Sequence, residues 1–196
     1  LRALLVFDGR IDPTWKASVR TDALDVRLLN PALAASTVEP LTVDFSAAGK
    51  GGNADLQGTA QLGGQTIELA PSKVQLEDQV LNVSPLVVKA FGGQVRLKGS
   101  ADFRQQDQQK LNFSIVANDL TYTPAADPNT AGGVAVPVTL KEARMGLAGT
   151  LQAWAAVGTA DIERDGQKAA LQFDVRGNES AARIEQLQAR TPGGTL

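Results

Sequence analysis

Apolar and polar residues alternate along most of the chain. Trp15, Ala17 and Val19 are separated by Lys16 and Ser18, and Leu24, Val26 and Leu28 by Asp25 and Arg27. Thr42 and Asp44 interrupt Leu41, Val43 and Phe45 in the same way. The rhythm returns at Val95, Leu97, Ala101 and Phe103, at Leu111, Phe113 and Ile115, at Val134, Val136, Val138 and Leu140, and at Leu171, Phe173 and Val175. Successive side chains of an extended strand point to opposite faces. Each segment therefore predicts a strand with one apolar and one polar face. Gly63-Gly64, Gly92-Gly93 and Asp165-Gly166 predict tight hairpin turns, and Gln105-Gln106-Asp107-Gln108-Gln109 a longer polar tip. Helical periodicity is scarce. A short turn over residues 30–35, with Asn30 as cap and Pro31 in the first helical position, is one candidate. Residues 180–187 are a second, although Ile184 and Leu187 suit a strand as well. Residues 124–133, rich in Pro, Ala, Asn and Gly, read as an exposed loop.

A short pattern recurs: Gly58-Thr59-Ala60-Gln61-Leu62, Gly99-Ser100-Ala101-Asp102-Phe103 and Gly158-Thr159-Ala160-Asp161-Ile162. Each is Gly, hydroxyl, Ala, polar, large apolar. Gly9-Arg10-Ile11-Asp12 is a degenerate fourth copy. The expectation is one continuous β-repeat segment over residues 1–196, with repeat openings near 9, 58, 99 and 158.

Composition narrows the chemistry. Hydrophobic residues make up 43% of 196 but aromatics only 5%, so Leu, Val and Ala carry the apolar load. The net charge of −2 is scattered, without the Lys/Arg run that would neutralise phosphates, which argues against nucleic acid. Without Cys or His, thiol nucleophiles, imidazole bases and the usual zinc ligand sets are excluded. The opening Leu1-Arg2-Ala3-Leu4-Leu5-Val6-Phe7 carries an apolar run too short for a signal peptide or a membrane span. With no initiating Met and a close on Thr191-Pro192-Gly193-Gly194-Thr195-Leu196, the chain reads as an interior fragment of a longer protein.

The motifs that could carry chemistry have plainer readings. Asp161, Glu163 and Asp165 before Gly166 resemble the start of a calcium loop, but the twelfth position is Gln172 and the flanks alternate like strands. Gly49-Lys50-Gly51-Gly52 lacks the Ser or Thr that follows the Lys of a phosphate loop. Asp25, Asp44, Glu68 and Asp102 fall at polar-face positions, where a carboxylate solvates rather than catalyses. Asn82-Val83-Ser84 and Asn112-Phe113-Ser114 match glycosylation acceptors but lie inside predicted strands. No catalytic centre, cofactor or metal is expected.

The alternating strands, the Gly-x-Ala-x-apolar pattern and the element Leu24-Asp25-Val26-Arg27-Leu28-Leu29-Asn30-Pro31 resemble the periplasmic repeats of the TamB/AsmA-like family. The run from Leu187 through Ala189, Pro192, Gly193 and Gly194 resembles the ending of such a repeat, where a turn starts the next rung. The resemblance spans essentially the whole chain. It implies an all-β fold, an elongated antiparallel sheet curled into an open half-pipe with an apolar concave face. It also implies a periplasmic location, with the parent chain anchored in the inner membrane. The implied role is to carry phospholipid between membranes and to support outer-membrane protein assembly. The implied partners are phospholipid acyl chains and, through the parent chain, an Omp85-type outer-membrane assembly protein.

On that reading the groove is lined by Leu56, Leu62, Ile67, Leu69, Val74, Leu76, Leu81, Val83, Val95, Leu97, Phe103, Leu111, Phe113, Ile115, Val136, Val138, Leu147, Leu151, Ile162, Leu171, Phe173 and Val175. Alternation alone serves equally for a closed core. The alternative expectation is therefore a structural or adhesive module of a secreted protein, a β-sandwich or β-solenoid, with this face packed on a second sheet. Unprotected sheet edges would further allow the isolated fragment to pair with another copy.

Overall fold

A computed structural model of the chain describes residues 2–7, 14–24, 41–62, 64–105, 108–123 and 136–195; at 2–7, 24, 62 and 195 it describes the backbone alone. Two-residue turns fold several of the alternating segments back on the strand before them. Residues Asp78-Gln79, Phe91-Gly92 and Asp165-Gly166 have φ of 47° and 61°, 52° and 76°, and 51° and 71°. Positive φ at both central residues is the backbone twist that matches two right-twisted strands.

The strands are β1 (Arg2–Phe7), β2 (Thr14–Leu24), β3 (Leu41–Lys50), β4 (Asn53–Leu62), β5 (Gln65–Glu77), β6 (Val80–Ala90) and β7 (Gly93–Asp102). They continue as β8 (Lys110–Tyr122), β9 (Val138–Thr150), β10 (Ala153–Arg164), β11 (Gln167–Gly177), β12 (Ala182–Thr191) and β13 (Gly194–Thr195). All pairings are antiparallel and follow chain order from β1 to β13 in a single sheet. The molecule is all-β: one open, curled sheet, not closed into a barrel. No helix occurs among the described residues.

Several local expectations change. Residues 182–187 belong to strand β12 and not to a helix, because Val175↔Ile184 and Phe173↔Leu187 pair them with β11. The candidate turn at residues 30–35, the whole 124–133 loop, the Leu24–Pro31 element beyond Leu24 and the pattern at Gly9 lie outside the described residues. The turn expected at Gly92-Gly93 falls one residue earlier, and Gly93 opens β7, where a Cβ would crowd the backbone of Asn118 and Asp119. The repeated glycines Gly58, Gly99 and Gly158 lie inside β4, β7 and β10.

The pleat is interrupted by one-residue register shifts in β2 (between Thr21 and Leu24), β5, β6, β9 and β12. Pro71 and Pro85 stand at two of them, where a missing ladder donor is tolerated. Between these prolines Ser72, 4% exposed, replaces the lost ladder bonds. Its Oγ donates to Ala70 O at 2.7 Å and accepts from Val87 N at 3.2 Å.

Candidate functional site

One face of the sheet is apolar from β2 to β12. Following the register across the strands gives a row Trp15, Gly49, Ala54, Val74, Val83, Gly99, Phe113, Leu147, Ala156, Val175, Ile184. A second row reads Val19, Phe45, Gly58, Leu69, Val88, Val95, Ala117, Ala143, Ala160, Leu171, Ala189. Neither contains a polar side chain. Between them run Ala17, Ala47, Leu56 and Ser72, then, beyond the bulges, Leu86, Leu97, Ile115, Met145, Gly158, Phe173 and Leu187. At about 4.8 Å per strand, ten steps make an apolar track on the order of 48 Å long.

No described residue covers the track. Among the described residues only Ala47, Ala54, Val83, Ala101, Ala117 and Ala156 are buried apolar positions, and no large side chain is fully buried. Leu76, Ile184 and Leu187 are 51%, 63% and 60% exposed. Each strand packs chiefly against its two sequence neighbours, so no second layer of described residues lies over the face.

Five aromatic side chains lie on cross-strand glycines along this face: Trp15 on Gly49, Phe45 on Gly58, Phe113 on Gly99, Phe173 on Gly158 and Trp154 on Gly177. In each case ring atoms occupy the space a Cβ would take; at Gly158, for instance, Phe173 Cζ would lie 2.6 Å from it. The recurrent Gly of the sequence pattern is thus the seat of a neighbouring Phe ring. Cross-strand aromatics covering glycine restore the packing that glycine lacks. They also keep the large rings flat against the sheet. The two indoles reach the same rim, where Trp15 Nε1 donates to Gly51 O at 3.0 Å and Trp154 Nε1 to Asn178 O at 3.3 Å.

A twisted sheet is saddle-shaped, so each face is concave along one diagonal. On the apolar face a hollow of about 410 Å³ is lined by Leu111, Met145, Leu147, Leu151, Trp154, Ala156, Phe173 and Val175. On the opposite face a hollow of about 660 Å³ is lined largely by polar residues, among them Ser114, Arg144, Thr159, Gln172, Asp174 and Gln186. That outer face carries solvated ion pairs such as Lys89–Glu68 at 3.0 Å, each worth at most about 1 kcal/mol.

The expected lining residues distribute as follows. Val74, Val83, Phe113, Leu147 and Val175 fall in the first row; Leu69, Val95 and Leu171 in the second; Leu56, Leu97, Ile115 and Phe173 between. Leu76, Leu81 and Leu111 flank the first row, and Ile67, Val138 and Ile162 extend the same face toward the opposite rim. Leu62, paired with Gln65, closes β4 at that rim. Phe103 and Leu151 sit at turns, Phe103 N donating to Gln79 O at 2.9 Å. Val136 lies elsewhere, beside Pro137, Thr139, Lys141 and Glu163 around a small hollow. Sequence reasoning left out Trp15, Phe45, Leu86, Val88, Met145, Trp154, Ile184 and Leu187, all on the apolar face.

The acidic candidates are dispersed. Asp161 and Glu163 alternate with Ala160 and Ile162 on the polar side of β10, and Asp165 occupies the turn. Asp102 accepts from Arg104 Nε and from the Arg104 backbone N, both at 3.0 Å, and these bonds hold its carboxyl down at about 2. Asn82, Ser84, Asn112 and Ser114 lie in strands. Comparisons with protein-family models, curated proteins and solved structures find no match for the chain.

Proposed function

We propose that this chain is a segment of a periplasmic lipid conduit whose apolar face shields phospholipid acyl chains on their way between the inner and outer membranes. The observation that carries the reading is the pair of apolar rows, uninterrupted over eleven strands and without a covering layer among the described residues. A hydrocarbon chain in water costs about 0.8 kcal/mol per CH₂, so a 16-carbon chain costs on the order of 12 kcal/mol. A continuous aliphatic track offsets most of that cost at every step, and the flat-lying aromatic rings leave no tall obstacle on it. The face requires no nucleophile, acid or metal to do this. The wider role, support of outer-membrane protein assembly with an outer-membrane partner reached through a longer, inner-membrane-anchored parent, belongs to the same proposal.

Photo-crosslinking tests it. A photo-reactive residue at Leu97 or Phe113, on the track, is expected to yield phospholipid adducts in cells. The same residue at Lys98 or Asn112, one position away on the polar face, is expected to yield few. Equal labelling at the two pairs removes the conduit. Protein adducts alone at Leu97 and Phe113 favour the adhesive or structural module.

A further inference from the structure

We propose that the hollow between β8 and β11 is a discrete binding station for one acyl chain, where a chain pauses rather than slides. The inference rests on the reading of the apolar face as lipid-bearing and adds a location and a ligand class. The hollow holds about 410 Å³ and falls within the size of small-molecule sites.

Its depth is built in by glycine. Trp154 lies against Gly177, where a Cβ would sit 2.7 Å from its Cε2, and Phe173 lies against Gly158. Both rings are therefore laid sideways, and the space between them stays open above Ala156 and Leu147. A larger residue at either glycine would drive its ring up into the hollow.

The lining also selects the occupant. The backbones of β8, β9, β10 and β11 are paired to each other throughout this region, and the Trp154 indole N–H is already donated to Asn178 O. No donor or acceptor faces the hollow. A peptide seated there would bury amides without partners, at a cost of roughly 1–3 kcal/mol each. A hydrocarbon chain has no such requirement. Met145, unbranched and adaptable, lets the site fit chains of differing bend.

The two tryptophans make the test direct. The full chain carrying Trp15→Phe reports from Trp154, and the chain carrying Trp154→Phe reports from Trp15. The probe is a 16-carbon fatty acid with two bromines at mid-chain, which quenches indole emission on contact, titrated below the concentration at which it forms micelles. Saturable quenching of Trp154, at probe concentrations where Trp15 is little affected, is expected. Ala156→Leu, which fills the hollow and leaves the indole in place, is expected to raise the half-saturating concentration on the order of tenfold, equivalent to about two CH₂ groups kept in water. If Trp15→Phe fails to fold by far-UV circular dichroism, the unsubstituted chain is compared with Ala156→Leu alone, where the same tenfold loss is expected. Equal quenching of both indoles, or no effect of Ala156→Leu, overturns the station. Lipid adducts at Leu97 with no selective quenching at Trp154 leave the conduit standing without this station. Selective quenching at Trp154 without adducts at Leu97 does the reverse. A parallel rise in sedimentation coefficient with unquenched Trp154 identifies a second copy as the occupant and also overturns the station.

Discussion

The glycine seats predict opposite signs for two chemically identical substitutions. At Gly158 a Cβ would meet the Arg144 carbonyl oxygen and lie 2.6 Å and 3.1 Å from Phe173 Cζ and Cε1. Ordinary carbon contacts sit near 3.5–4.0 Å, so the ring must retreat by roughly 1 Å. Overpacking of this kind costs about 1–3 kcal/mol. Replacing Gly by Ala also restrains the unfolded chain, which returns about 0.4–1 kcal/mol. The net expectation for Gly158→Ala is a destabilisation of about 1–2 kcal/mol. Gly146, on the polar face of β9, has nothing within 4 Å of its Cβ position, and its φ is not positive. There only the unfolded-chain effect remains, so Gly146→Ala is expected to stabilise by about 0.4–1 kcal/mol. Urea unfolding followed by far-UV circular dichroism measures both, with the slope unchanged and the midpoints moving in opposite directions. A cycle with Phe173→Ala separates the ring from the backbone contact, because removing the ring leaves the Arg144 carbonyl in place. Midpoints that move together, or a Gly158→Ala chain as stable as the parent, would refute the reasoning that these glycines exist to seat rings.

Ser72→Ala removes the hydroxyl that bridges Ala70 O and Val87 N between the two proline bulges. It is expected to cost about 1–3 kcal/mol in urea unfolding. Asp102, held at about 2 by Arg104, is lower in the folded chain than its ordinary value of 3.8. Its contribution is therefore complete above pH 3.8 and is lost as the pH falls toward about 2. Asp102→Asn should flatten the acid limb of the stability profile in that window and leave the limb above it unchanged. Among the described residues the outer edge of β12 is paired to β13 only at Arg190 and Thr191, and Ile184 and Leu187 are exposed. The isolated chain is expected to associate as concentration rises, and Ile184→Lys with Leu187→Lys to weaken that association on the order of tenfold by sedimentation.

What the sequence displayed clearly was the face. Period-two alternation placed Leu97, Phe113, Ile115, Phe173 and Val175 on one side because the pleat admits no other arrangement within an unbroken strand. It could not follow the face through a bulge. In β6 the apolar side is carried by Leu81 and Val83, then by Leu86 and Val88, since an extra residue at Ser84-Pro85 reverses the parity. The same reversal hides Ile184 from Leu187 in β12. Pro71 and Pro85 were the available signals, because proline inside a strand marks a place where the ladder is interrupted. The Gly-Gly pair at 92 and 93 misled by one residue. Gly92 serves the turn with its φ of 76°, whereas Gly93 makes room for the β8 backbone. The Gly58, Gly99 and Gly158 pattern was visible, but its reason was not, since the Phe that needs each glycine stands on another strand at no fixed separation. Val136, alternating with Val138 in sequence, precedes β9 and turns away from the track.

The strictly consecutive strand order has a kinetic consequence. Every ladder joins segments adjacent in the chain, so structure can spread hairpin by hairpin from wherever it starts, like a zip with many starting teeth. No distant loop has to close before a growing end can add its next strand. A defect in one strand should therefore loosen its immediate neighbours and leave the remote ones folded, and a chain that emerges gradually, one end first, can take up its shape as it arrives.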